Sequence, residues 1–179
     1  MGHSNIFLVG MMGAGKTTVG RALAARLKRE FVDTDRVLVE RTGVAVATVF
    51  EIEGEEGFRR RETAVLREVC EQDERIVATG GGIVLAEENR RVMRESGTVV
   101  YLRARLESLW ERTRHDSSRP LLATPDPRAR LAELLEQREP LYREAAHVIV
   151  DSGPQSASTL VNRVLTALRA RSAGAAKAP

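Results

Sequence analysis

Thiols and aromatic rings are scarce in this chain. One cysteine, Cys70, stands among 179 residues, so the chain can build neither an internal disulfide framework nor a thiolate zinc site. Within a helical pattern a lone cysteine reads as a small core residue. Three histidines, His3, His115 and His147, are too scattered for metal-ligand spacing. Aromatic residues make up 4%, which leaves no platform of rings for stacking nucleobases. No apolar run approaches membrane-spanning length. The first apolar run starts within a few residues of Met1 and leaves no room for a signal or transit peptide. Gly2 makes no myristoylation signal, because position 6 is Ile. These absences lead to the expectation of a cytoplasmic protein that uses no membrane and no nucleic acid.

Lysine is nearly absent too. The 28 basic residues comprise 25 Arg and 3 Lys. A net charge of +3 and a pI near 9.5 would suit a nucleic-acid binder. Here the basic residues alternate with Glu along helical stretches, as on solvated faces. In a chain so poor in lysine, the place of Lys16 carries weight. It lies in Gly10-Met11-Met12-Gly13-Ala14-Gly15-Lys16-Thr17-Thr18, which fits the phosphate-binding pattern G-x-x-x-x-G-K-[ST]. An apolar run, Ile6 to Val9, precedes it, and an amphipathic stretch, Val19 to Leu27, follows. Strand, glycine loop and helix form the context the motif needs. The glycines let backbone N–H groups turn inward around an anion, and the helix start adds unpaired donors and a positive dipole end. Lys16 would reach the β- and γ-phosphates, and the Thr17 hydroxyl would ligate Mg²⁺.

Five short apolar runs read as strands: residues 5–9, 30–32, 75–78, 98–102 and 147–150. They are rich in Ile and Val without clean alternation, which suits a parallel sheet covered on both faces. Helical patterns lie between them at 16–29, 35–41, 46–51, 56–71, 87–95, 106–114, 127–139 and 156–171. This alternation implies a three-layer α/β domain spanning residues 1–171. The polar stretch 115–126 with Pro120 and Pro125 reads as a long loop, within a lid at about 113–126. The tail 172–179 reads as disordered.

Further constellations sit where strands end. Asp33-Thr34-Asp35 could serve a metal and a substrate hydroxyl, or simply cap a helix. Arg59 and Glu62, three apart, share a helix face beyond the turn at 54–57, though three arginines in a row also describe a solvated face. Gly80-Gly81-Gly82 would let a ligand approach the backbone, or make a tight turn. Arg119, in Arg119-Pro120-Leu121-Leu122, could close on a transferring phosphoryl group or stay solvated. Arg138 precedes Pro140, where a helix would be expected to stop.

Taken together, the marks GMMGAGKTT, DTD, TVFEIEGEEGFRRRE, TGGG, RPLL, REPLY and DSGPQSAS resemble the shikimate kinase family from Ile6 to about Leu168. The resemblance implies the P-loop fold of nucleoside-monophosphate kinases, with a five-stranded parallel sheet and a mobile lid. It implies ATP-dependent phosphorylation of the shikimate 3-hydroxyl, in aromatic amino-acid biosynthesis, by a monomer that uses Mg²⁺. Carried onto this chain, it puts Gly13, Ala14, Gly15, Lys16, Thr17 and Thr18 around the ATP phosphates, with Arg112, Arg119 and Gln155 also on the nucleotide. It puts Mg²⁺ on Thr17 and Asp33. It gives Asp35, Arg59, Gly80, Gly81, Gly82 and Arg138 to shikimate, and makes Lys16, Asp35 and Arg119 the catalytic set. Three other readings compete: a gluconate or nucleoside-monophosphate kinase of the same fold, which predicts other acceptor residues; a slow P-loop switch, which should carry guanine-specific motifs not seen here; and a nucleic-acid binder, suggested only by the pI.

Overall fold

The apolar runs pair side by side into one parallel sheet. The computed structural model describes residues 4–116 and 119–175. The strands are β1 (Asn5–Val9), β2 (Phe31–Asp33), β3 (Ile76–Ala78), β4 (Gly97–Arg103) and β5 (Val148–Asp151), in the order β2-β3-β1-β4-β5. Every pairing is parallel, with Leu8 of β1 registered between Ala78 of β3 and Val100 of β4. All five residues of β1 are buried, because helices cover both faces of the sheet. That is why the strands read as unbroken apolar runs rather than alternating ones.

The helices are α1 (Lys16–Leu27), α2 (Thr34–Thr42), α3 (Val46–Val69), α4 (Glu87–Ser96), α5 (Leu106–Thr113), α6 (Pro127–Ala145) and α7 (Ala157–Ala175), with short 3₁₀ turns at Ile83–Leu85 and Pro120–Leu122. Helices α1 and α7 touch each other and contact β3 and β5, while α4 and α6 contact β4. The apolar core runs between these layers, from Phe7 and Leu23 to Val100, Leu131 and Val164.

Two expectations need correction, and a third holds. The helix before Pro140 does not stop there: α6 continues to Ala145. Proline removes one helical hydrogen bond, but the turn beyond it is held from outside. Tyr142 and Ala145 are fully buried, and Arg94 Nη1 donates to the carbonyls of Glu144 and Ala145, both at 3.1 Å. The two helices expected over 46–51 and 56–71 are both present, one on each side of a kink at Gly54 (φ 69°, ψ −177°), and share the label α3. Finally, the tail expected from Ser172 is helical as far as Ala175, and Ser172 Oγ donates to the Leu168 carbonyl at 3.1 Å. Small residues such as Ala favour continuing a helix, so the boundary at 171 is too early. Residues 176–179 lie outside the described part, as do residues 117 and 118 of the lid.

Candidate active site

Loops at the carboxyl ends of β1, β2 and β3 build one site, as expected for an open parallel sheet. The first loop, Gly10 to Lys16, turns through left-handed backbone at Gly13 (φ 80°) and Gly15 (φ 95°). A Cβ on Gly13 would lie 2.9 Å from Thr113 Cγ2, so α5 presses directly on this loop. Gly15 caps α1 without a side-chain bond, which leaves first-turn N–H groups open to an anion. Lys16 Nζ donates to the carbonyls of Gly10 at 2.7 Å and Met11 at 2.9 Å. Burial lowers its pKa to about 8, against the opposing pull of Asp35. Thr17 and Thr18 are exposed on the first turn of α1.

Asp33 ends β2 and uses both carboxylate oxygens. Oδ1 caps α2, accepting from the Asp35 N–H at 3.1 Å and the Arg36 N–H at 3.4 Å. Oδ2 accepts from Thr17 Oγ1 at 2.9 Å. Two hard oxygen donors thus meet beside the phosphate loop, the kind of donor a phosphate-bound Mg²⁺ takes from protein. Among the described residues no cluster of three or more His, Cys, Asp or Glu could form an all-protein metal cage.

Next to this loop lies a cavity of about 240 Å³, bounded by Asp35, Arg59, the glycine run, Arg119 and Arg138. That is smaller than a drug-sized pocket. At Gly80 and Gly82, side chains already fill the space that a Cβ would take. A Cβ on Gly80 would sit 2.6 Å from Glu62 Oε1 and 3.0 Å from Asp35 Oδ1, and one on Gly82 would collide with the Arg59 guanidinium. Arg59 is fixed on three sides: Nη1 donates to Glu62 Oε2 at 2.8 Å, Nη2 to Glu55 Oε1 at 3.2 Å, and its Cζ lies 5.1 Å from the centre of the Phe58 ring. Burial raises the pKa of Glu62 and of Asp35; for Asp35 the neighbouring Asp33 adds to the rise while Lys16, Arg119 and Arg59 oppose it.

Arg138 is 2% exposed, yet its Nε and Nη1 have no hydrogen-bond partner. Guanidinium groups are not buried without acceptors at no cost. Donors left open beside a cavity call for an anionic ligand. Arg119 borders the same cavity and pairs through Nε with Asp116 Oδ2 at 2.8 Å.

A second set of contacts fastens the phosphate loop from the β5 side. Ser152 Oγ donates to the Ala14 carbonyl at 2.7 Å. Arg112 donates from Nη1 to the Gly13 carbonyl at 2.9 Å and from Nη2 to the Gly153 carbonyl at 2.6 Å. Gln155 closes its own loop: Oε1 accepts from the Gly153 N–H at 3.0 Å and Nε2 donates to the Asp151 carbonyl at 2.7 Å.

A sequence profile of the family described as shikimate kinase matches residues 12–169. The chain belongs to the shikimate kinase family. It is 62% identical over 152 residues to a shikimate kinase of Nitrosospira multiformis, covering 85% of this chain and 78% of that protein. It is 58% identical over 165 residues to one from Bordetella pertussis, covering 92% and 78%. The solved structure of shikimate kinase from Acinetobacter baumannii in complex with shikimate superposes with a TM-score of 0.92 at 44% identity, covering 94% of each chain. As a shikimate kinase family member the chain is a kinase that uses ATP as co-substrate.

The expected residues fall into two neighbouring groups. Lys16, Thr17, Asp33 and the loop glycines gather on the phosphate side, and Asp35, Arg59, Gly80 to Gly82, Arg119 and Arg138 on the cavity side. Arg112 and Gln155 stand apart, bonded to loop backbone. Sequence reasoning assigned no part to Ser152 or to Thr34, whose Oγ1 accepts from the Gly80 N–H at 3.2 Å. A serine or threonine just after a strand is too common to single out, so no pattern could have found them.

Proposed function

We propose that the chain transfers the γ-phosphoryl group of ATP to the 3-hydroxyl of shikimate, a step on the route to aromatic amino acids. One observation carries the choice of acceptor: the buried, open-handed Arg138 beside a clamped Arg59. A planar guanidinium pairs in bidentate fashion with a carboxylate, and shikimate carries one carboxylate and three hydroxyls on a rigid ring. Arg138 and Arg59 would grip the carboxylate. Asp35, which borders the same cavity, would accept from a ring hydroxyl; its raised pKa makes it a better acceptor of the departing proton than an ordinary aspartate.

On the donor side, Lys16 would exchange its two loop carbonyls for phosphate oxygens. Backbone N–H groups of Gly13 to Thr18 would cradle the same phosphates. Thr17 and Asp33 would hold Mg²⁺, which when bound neutralises charge between the phosphoryl groups. Arg119 would come down from the lid onto the transferring group, releasing Asp116. Catalysis then rests on alignment and charge rather than on a covalent intermediate. Arg112 would border the nucleotide while bracing the loop, and Gln155 would shape the same edge through its own loop. A monomeric, cytoplasmic enzyme completes the reading; light scattering and cell fractionation check those two points.

The deciding assay couples ADP release to a readable signal with shikimate, gluconate and AMP offered in turn. A rate increase with shikimate alone is expected. A response to gluconate or AMP with none to shikimate would overturn the acceptor assignment.

A further inference from the structure

Arg138 and Tyr142 stand one turn apart on α6, both buried. The Tyr142 ring stacks on Tyr101 with centroids 4.9 Å apart. Its hydroxyl donates to the Gly81 carbonyl at 2.5 Å and has the Met11 sulfur at 3.5 Å. Burial raises the phenol pKa, so the group stays a donor at any working pH. Gly81 also lies against Arg138, since a Cβ there would be 3.5 Å from Nη1. A neighbouring backbone carbonyl offers a guanidinium with unmet N–H groups an internal acceptor, because buried donors find partners wherever geometry allows. Arg138 nevertheless keeps Nε and Nη1 open.

We propose that Tyr142 is a positioning residue that occupies the Gly81 carbonyl and so keeps the Arg138 donors available to the substrate carboxylate. Without the hydroxyl, the half-buried Gly81 carbonyl loses its donor, and Arg138, which lies against Gly81, can take that place. An arginine bonded inward must break that bond before it can take a carboxylate. The loss therefore falls on acceptor binding and spares the nucleotide side. This inference rests on the carboxylate-clamp reading above.

Tyr142→Phe tests it, since the stacked ring stays and only the hydroxyl goes. The variant is expected to lose about three- to tenfold in kcat/KM for shikimate, the range of one ordinary hydrogen bond. The loss should appear in KM for shikimate, with KM for ATP within twofold of the parent. The decisive arm uses an analogue in which the shikimate carboxylate is reduced to a hydroxymethyl group, read as a KM if it turns over and as an inhibition constant if it only competes. The variant should bind this analogue as well as the parent does. The Gly82 amide nitrogen should also shift in the NMR spectrum as the bond to the Gly81 carbonyl changes. Equal losses with shikimate and the analogue would reduce Tyr142 to a general structural role, and no loss with either would leave it without the proposed one. No turnover of shikimate by the parent would sink the acceptor assignment itself, and this proposal with it.

Discussion

Gly82 has no side chain because the Arg59 guanidinium occupies the place where one would be. Its own backbone (φ −92°, ψ 4°) suits any residue, so the constraint is one of space alone. Gly82→Ala is therefore expected to fold and to displace Arg59 from its pairing with Glu62. KM for shikimate should rise on the order of tenfold or more, the scale of a lost charge-assisted hydrogen bond, with KM for ATP little changed. Steady-state kinetics with each substrate varied in turn checks this; an unchanged KM for shikimate would remove Arg59 from the clamp. Residues of this kind are half legible in sequence. Lys16, Thr17 and Asp35 stand out because motif and spacing name them. The openness of Arg138 does not, since it depends on what Tyr142, Glu62 and Gly81 do in space. Gln155 shows the reverse: its chain position suggests a ligand contact, and its amide closes a turn.

Among the elements, α3 depends most on one residue. Gly54 takes φ 69° and ψ −177° at the kink between the two helical segments of α3. Only glycine occupies that region without strain. The break lets the segment after it turn Phe58, Arg59 and Glu62 toward the cavity while Val46 and Phe50 reach the same cavity from the segment before it. A Cβ at Gly54 would meet nothing, so Gly54→Ala is expected to destabilise through backbone strain alone, by about 1–3 kcal/mol. Chemical denaturation of parent and variant measures it, and equal stability would show that the break needs no glycine. The sequence marks the break as a turn at 54–57, because Gly-Glu-Glu-Gly interrupts an apolar pattern. It marks the strands to within about a residue at each end, because buried parallel strands are apolar throughout. Pro140 misleads, since local propensity favours a stop, whereas burial of Tyr142 and Ala145 outweighs one missing hydrogen bond.

At the scale of the whole molecule, stability at low pH should depend on His147. It precedes β5, and its Nδ1 accepts from the Val99 N–H at 3.0 Å, a bond that only the neutral ring can make. Burial, with Arg171 and Arg94 nearby, lowers its pKa from 6.5 to about 4. Between those values the unfolded chain binds a proton that the folded chain refuses. Stability contributed by the neutral ring is thus complete above about pH 6.5 and declines as pH falls toward 4. Thermal melts across that window should show a steeper decline for the parent than for His147→Asn, whose Oδ1 can accept the same N–H without titrating. Parallel declines would assign the acid sensitivity to other groups. Such long-range bonds, like Ser152 to Ala14, join residues far apart in the chain, and no local pattern announces them.

Lys16 is one of three lysines, with Lys28 and Lys177, and among the described residues the only one set among phosphate-loop carbonyls. With its pKa near 8, about half of it is free amine in mildly alkaline buffer. Few other amines in the chain compete for an acylating or sulfonylating reagent. A nucleotide carrying a weak electrophile at its phosphate end should therefore form one covalent bond per molecule, at a position that peptide mapping can read, and natural ATP should protect against it.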